Sequence, residues 1–308
     1  MSTPLFLGID GGATKTRAVV VNAAGNVCGE GEAGCGNHSA VGYATATANI
    51  YVAAETAVRA AGSTLPCVAA RIGLAGVDRP ADQERFLPAL AALAPRLHLS
   101  NDAVLALTAL PDAVGIAVIA GTGSIALGAD RHGTKARAGG WGWRIGDEGS
   151  GYAMGRQALQ AATQAADGRA PDTALLPTML AHWQLAQPGD LIGRVYRDGG
   201  ATNAEIAEIA ALVFAAAREG DSAATRILRD AADDLARMVL AVAAALNFAA
   251  GPLPLACVGR LLTHDTGLRP MLVRRLRARR PVSPIAVVAD PAMSAARAAR
   301  ALVSASSG

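Results

Sequence analysis

Two short glycine-rich segments constrain this 308-residue chain more than any other feature. Gly8-Ile9-Asp10-Gly11-Gly12-Ala13-Thr14-Lys15-Thr16 joins aliphatic runs at 5–9 and 17–21, and Ala120-Gly121-Thr122-Gly123-Ser124 joins runs at 114–119 and 125–127. A glycine-rich turn between β-branched runs reads as a hairpin, since glycine reaches φ > 0 without steric cost. From Gly11 to Gly121 is 110 positions, and after each turn the same grammar of strand, polar turn and strand follows. Such self-similarity predicts a duplicated fold of two related halves.

In the first half a turn at 22–26 leads to a third strand at 27–31. Helical spacing follows at 43–61, a strand at 68–74, a helix at 80–93 with Asp78 as its cap, a strand at 97–99 and a helix at 103–110. The second half restarts at Val114 and carries helices at 151–166, 173–187, 203–219 and 222–250, then a short strand at 255–258. An antiparallel start followed by alternating strands and helices predicts an α/β fold: mixed sheets flanked by helices, with a hinged cleft between the halves. The division expected is 1–113, with the C-terminal helix 291–308 packing back on it, and 114–290.

Residues 238–259 carry no charge, long enough for a membrane span by length alone, but Asn247, Gly251, Pro252 and Pro254 interrupt them. They read as the end of a buried helix, a stop and a strand, so no membrane association is expected. With 52% hydrophobic and 17% charged residues the chain is globular, and its net charge of +3 is mild. Lys15 and Lys135 are the two lysines, and arginine supplies the other 26 of 28 basic side chains. The dense run Arg274-Arg275-Leu276-Arg277-Ala278-Arg279-Arg280 has the apolar spacing of a helix and reads as its solvated face, so no nucleic-acid partner is expected. Cys28, Cys35, Cys67 and Cys257 lack CxxC spacing and no secretory signal precedes them, which reads as reduced thiols of a cytoplasmic protein. The chain is expected to open on a strand, with neither a targeting peptide nor a DNA-binding head ahead of it.

The chemistry these residues suit is phosphoryl transfer, which needs donors around phosphates, a divalent cation, a base and tight positioning. Backbone N–H groups of both turns, with the hydroxyls of Thr14, Thr16, Thr122 and Ser124, are candidate phosphate donors. Thr14 stands where a Walker A loop has glycine before its lysine, and a strand follows. The second turn has Gly121, Gly123 and Ala126 at dinucleotide spacing, yet it too continues as a strand, with no helix N-terminus to meet a pyrophosphate. Asp10, inside the first turn, can hold Mg2+ directly or through water. Asp102 ends the Ser100-Asn101-Asp102 segment and opens a helix, a position suited to a helix cap, a catalytic base, or both.

These segments, with Gly139-Gly140-Trp141-Gly142-Trp143-Arg144-Ile145-Gly146-Asp147-Glu148-Gly149-Ser150, resemble the N-acetylglucosamine kinase branch of the BadF/BadG/BcrA/BcrD ATPase family, across nearly the whole chain. That family falls in the superfamily of sugar kinases, heat-shock chaperone ATPases and actin. The resemblance implies two ribonuclease H-like (actin-like ATPase) domains and an ATP- and Mg2+-dependent kinase acting on the 6-hydroxyl of an amino sugar. It implies Asp102 as the base; Gly11, Gly12, Thr14, Lys15, Thr16, Gly121, Thr122, Gly123, Ser124 and Gly259 at ATP; and Asn37, His38, Gly140, Trp141, Gly142 and Asp147 at the sugar. It further implies a homodimer. Gly259-Arg260-Leu261 is similar to the adenosine-side motif and Asp290-Pro291-Ala292-Met293-Ser294-Ala295-Ala296 to the closing helix, with Arg260 and Ser294 standing where the family favours glycine.

N-acetylglucosamine is the acceptor the resemblance favours, with glucosamine the alternative, since Asp147 and Glu148 could meet its ammonium. An ATPase that activates a reductase would need paired cysteines to bridge an iron–sulfur cluster, and none lies near the second half's glycine loops. A sugar-responsive regulator would need an added DNA-binding head.

Overall fold

The computed structural model describes residues 4–12, 14–77, 79–248, 251–264 and 266–304. The chain divides into two compact units, residues 1–114 with 288–308 and residues 115–287. Each is built on one five-stranded mixed sheet.

In the first unit the strands are β1 (Leu5–Gly11), β2 (Thr16–Asn22), β3 (Val27–Ala33), β4 (Ala69–Leu74) and β5 (Leu97–Asn101), in the order β3-β2-β1-β4-β5. The hairpin β1–β2 and its partner β3 are antiparallel, whereas β1, β4 and β5 run parallel. β1 reads as an aliphatic run because Leu7 and Ile9 are covered completely, as are Val19, Val20 and Val21 in β2. One face takes the helix Tyr43–Ala60 through Ile50, Ala54 and Ala57, and the helix Pro80–Leu90 through Phe86 and Leu90. The other takes the helix Pro291–Ala299, whose Ala292, Ala296 and Ala299 pack on Phe6, Val19 and Val21. That helix lies directly on β1. A Cβ at Gly8 would come within 2.1 Å of the Ala292 carbonyl oxygen, so only glycine permits the approach.

The second unit repeats the plan with β6 (Gly115–Ala120), β7 (Ser124–Ala129), β8 (Lys135–Gly139), β9 (Leu253–Val258) and β10 (Val282–Val288), ordered β10-β9-β6-β7-β8. Its first three strands form the antiparallel meander and β9 runs parallel to β6. Strand for strand the order matches that of the first sheet. The long helix Ser222–Ala245 buries Leu235, Val239 and Val242 in a core with Ile116, Val118 and Met154. Each such fully covered side chain contributes about 1.5–3 kcal/mol.

Several elements differ from the sequence expectation. The span 80–93 is a helix only to Leu90 and then a single 3-10 turn, while Asp78 lies outside the described residues and Asp82 accepts the Arg79 N–H (3.3 Å). The span 103–110 is one α turn, Asp102–Leu105, and then 3-10 turns. The span 173–187 is helical only over Leu175–His182, with a separate helix Asp190–Tyr196. The span 203–219 breaks at Ile209, and 222–250 ends at Ala245, just before Asn247 takes φ 49°. Asparagine tolerates that left-handed geometry and so stops a helix. In the helix Leu268–Arg277, Leu268, Leu272 and Leu276 are buried while Arg274 and Arg277 are exposed, which is the solvated face expected. Among the described residues no helix is long and apolar enough to cross a membrane.

Candidate active site

The parallel strands of the first sheet bring their carboxyl ends to one edge, the usual place for a ligand in such sheets. Register makes this concrete: Asp10 pairs with Arg17 on one side and Gly73 on the other, and Gly73 pairs with Ser100. Asp10 and Ser100 therefore stand two strand spacings apart, roughly 10 Å, with Asp102 two residues beyond. Gly73 makes room for it, because a Cβ there would lie 2.9 Å from the Asp102 Cα. The cap of the helix at this point is Asn101, whose Oδ1 accepts the Ala103 N–H (2.8 Å), and Asp102 occupies the first helical position with its own Oδ1 2.8 Å from the same nitrogen.

Asp10 carries the largest electrostatic perturbation at this edge. Burial, followed by the charges of Asp102 and Asp290, pushes its carboxyl up to about 7 against an opposing effect of Lys15. No hydrogen bond or ion pair engages the Asp10 carboxylate among the described residues. A desolvated, unengaged carboxylate beside two others is a group that a hydrated cation would satisfy. Among the described residues no three His, Cys, Asp or Glu side chains are gathered closely enough to hold a metal alone, so a cation here would draw its remaining ligands from water and phosphate.

The first turn is tight: Gly12 N–H donates to the Lys15 carbonyl (2.9 Å). Thr14 is exposed at its tip. Lys15 bonds Glu32 (2.8 Å), an exposed pair that holds the Glu32 carboxyl below its usual range. Thr16 is completely buried and donates its hydroxyl to the Gly34 carbonyl (2.9 Å). Thr16 thus anchors the turn to the chain after β3, and its hydroxyl is already engaged there.

Asn37 reaches the same edge, with Gly36 packed against Gly11 and the Asn37 Oδ1 beside Gly76, the second residue after β4. Asn37 caps a short helix, His38–Val41, its Oδ1 accepting the Ser39 N–H (2.9 Å). Cys35 Sγ accepts the Asn37 N–H (3.4 Å). His38 turns inward, with Nε2 3.4 Å from Asp82 and its ring 4.3 Å from that of Tyr43, whose hydroxyl donates to Asp82 (2.6 Å). Tyr43 and Asp82 were not legible as site neighbours, since hydrogen bonding across 39 positions leaves no local signal.

In the second unit the turn between β6 and β7 closes through Gly121 N–H to the Gly123 carbonyl (2.9 Å). Its carbonyls accept from the start of the helix Gly151–Ala166: Gly151 N–H to Gly121 (2.8 Å) and Tyr152 N–H to Thr122 (3.2 Å). Thr122 is exposed at the tip, while buried Ser124 donates to the Glu148 carbonyl (2.7 Å). Asp147 also lies on this turn, with Oδ1 accepting the Ser124 N–H (3.3 Å) and its carboxylate packed where a Gly123 Cβ would stand; burial raises its carboxyl.

Gly140, Trp141 and Gly142 form the exposed start of the following loop, with Trp141 63% exposed and the Arg137 guanidinium over its ring. Beside Trp141 is a hollow edged by Glu148, Asp234, Arg237 and Met238. Gly259 follows β9 at φ 86°, so close to Ala120 that a Cβ would lie 2.3 Å from its carbonyl oxygen, which brings Gly259-Arg260-Leu261 to the base of the second turn. Cys67 and Cys257 are buried and pushed up to about 11 and about 12, so both remain protonated thiols.

The profile of the BadF/BadG/BcrA/BcrD ATPase family matches residues 7–297. An N-acetyl-D-glucosamine kinase of Dictyostelium discoideum is 31% identical over 96% of this chain and 98% of its own length. An N-acetylmuramic acid/N-acetylglucosamine kinase of Clostridium acetobutylicum is 40% identical over 59% of this chain and 60% of its own. Among solved structures, a candidate N-acetylglucosamine kinase from Chromobacterium violaceum superposes with a TM-score of 0.72 at 30% identity, covering 98% of this chain and 99% of that one.

Proposed function

The chain belongs to the BadF/BadG/BcrA/BcrD ATPase family, and from that premise we propose that it is an ATP-dependent kinase that phosphorylates the 6-hydroxyl of an amino sugar, with N-acetylglucosamine as the acceptor. The observation that carries this reading is the gathering of Asp10, the first glycine turn, Asn37 and Asp102 at one sheet edge.

Asp102 is the general base. Its carboxylate takes the proton of the acceptor hydroxyl as that oxygen attacks the γ-phosphorus; the bond between this phosphorus and the β,γ-bridging oxygen breaks, and ADP leaves with the electron pair. Asp10 would hold Mg2+, directly or through water, and the cation would supply neutralisation of charge on the phosphate oxygens. While the Gly12 and Gly121 N–H groups close the two turns, Gly11, Thr14 and Lys15 in the first unit, and Thr122 and Gly123 in the second, offer donors to the phosphates. Lys15 exchanges Glu32 for phosphate to do so. Thr16 and Ser124 serve these turns as anchors. Gly259 adjoins the adenosine. Asn37, His38, Gly140, Trp141, Gly142 and Asp147 receive the sugar, and Asp147 keeps one oxygen on the second turn.

Glucosamine is the second reading, favoured by the hollow beside Trp141, where Glu148 and Asp234 outnumber Arg237 and would suit an ammonium. The oligomer proposed is a homodimer and the compartment the cytoplasm. A panel of N-acetylglucosamine, glucosamine, N-acetylmannosamine and glucose with ATP, reading ADP release, tests the proposal. The expected order places N-acetylglucosamine first; glucosamine first would favour the second reading, and no sugar-dependent release would defeat both.

A further inference from the structure

The surroundings of the first glycine turn pose an electrostatic problem for a site that takes a polyphosphate. Asp10, Glu30, Glu32, Asp102 and Asp290 stand there against Lys15 and Arg17, a net charge of −3 when all are ionised. A nucleotide is itself an anion, so the site repels its own ligand to the extent that a bound cation and the basic side chains leave these carboxylates uncompensated.

Arg17 is the one that reaches furthest. Its Nε and Nη2 donate to Asp290 Oδ2 (3.0 and 2.8 Å), its Nη2 also to Glu30 (3.0 Å) and its Nη1 to Glu32 (3.2 Å). One partly buried guanidinium thereby ties β2, β3 and the N-terminus of the helix Pro291–Ala299, whose cap is Asp290 (Oδ1 to Met293 N–H, 3.0 Å). The fork geometry of arginine suits such bridging; lysine would offer the charge without the simultaneous reach. Arg17 pairs directly with Asp10 across the β1–β2 ladder, and Asp290 is one of the charges that Asp10 feels.

We infer that Arg17 is a positioning residue of the nucleotide site. It neutralises the Asp290 carboxylate that caps the closing helix, so that nucleotide phosphates can approach the first turn. The inference rests on the kinase reading above and concerns a residue to which that reading gives no role.

The test is calorimetric binding of ADP, with and without Mg2+, to wild type, Arg17→Ala, Arg17→Lys and Arg17→Ala/Asp290→Asn, each checked for folding by circular dichroism. Asparagine caps a helix about as well as aspartate, so Asp290→Asn removes the charge and keeps the cap. Arg17→Ala is expected to weaken ADP binding on the order of 10-fold, the size of one partly screened charge at short range, with the loss shrinking at high salt. The double variant is expected to regain most of that affinity, and Arg17→Lys to retain most of it. Unchanged affinity in Arg17→Ala overturns the inference. So does a double variant no better than Arg17→Ala, which would make Arg17 a structural strut. Should Arg17→Ala not fold, Arg17→Lys decides, since a strut would fail there as well. Failure of the wild type to bind any adenine nucleotide would instead sink the kinase reading and this inference with it.

Discussion

The two glycine turns share one architecture and differ in charge. In both, the first residue of the outgoing strand is a buried hydroxyl, Thr16 or Ser124, bonded to a main-chain carbonyl of a later segment, Gly34 or Glu148, and in both a threonine is exposed at the tip. The first turn follows a desolvated aspartate and is ringed by ion pairs. The second has no base within it, and its one carboxylate, Asp147, arrives from a loop and bonds the turn itself. The duplicated scaffold therefore differs in side-chain charge: carboxylates and ion pairs surround the first turn, while a single carboxylate bonds the second. The proposed chemistry depends on that asymmetry.

The largest effect that would break the comparison concerns Asp102. Asp102→Asn should lower kcat by about 10²–10⁴-fold with nucleotide and sugar affinity nearly intact; an unchanged kcat removes Asp102 from the mechanism. The second prediction concerns stability. The folded carboxyl of Asp10 lies at about 7, above its ordinary 3.8, so the fold prefers it protonated. Its burial is harmless below pH 4, becomes destabilising as pH rises toward 7, and above that costs at most roughly 4 kcal/mol. Asp10→Asn should accordingly raise the melting temperature at pH 8 and leave it unchanged at pH 4, while abolishing turnover; equal shifts at both pH values would contradict the assigned burial.

Thr16→Val and Ser124→Ala test the shared anchors. Each leaves a carbonyl without its partner and should destabilise the fold by about 1–3 kcal/mol in denaturant melts, with little change in KM for ATP per folded molecule. A large rise in that KM without loss of stability would return these hydroxyls to the phosphates. The smallest effect sharpens the second turn: Asp147→Ala should raise KM for the sugar roughly 10-fold, as for loss of one charged hydrogen bond, and affect ATP far less. The reverse split would make Asp147 a support of the turn alone.

Much of this asymmetry was legible before the structure. The hairpins and the duplicated plan followed from glycines bracketed by β-branched runs, and the position of Asp102 from a short strand at 97–99 that runs into a helix. The hydroxyls of Thr16 and Ser124 read as phosphate donors because sequence does not distinguish a hydroxyl facing a ligand from one turned to a carbonyl. β10 was missed because it is an edge strand whose exposed Ser283 and Pro284 break its pattern. Arg17 and Asp290 are 273 positions apart, and no local rule links them.

The most direct measurement of the central claim is phosphorus and proton NMR on the product of the enzyme with ATP, Mg2+ and N-acetylglucosamine. The account predicts a phosphorus coupled to the two C6 protons of the sugar, formed in step with ADP. Inorganic phosphate appearing with ADP while the sugar stays unmodified would contradict it.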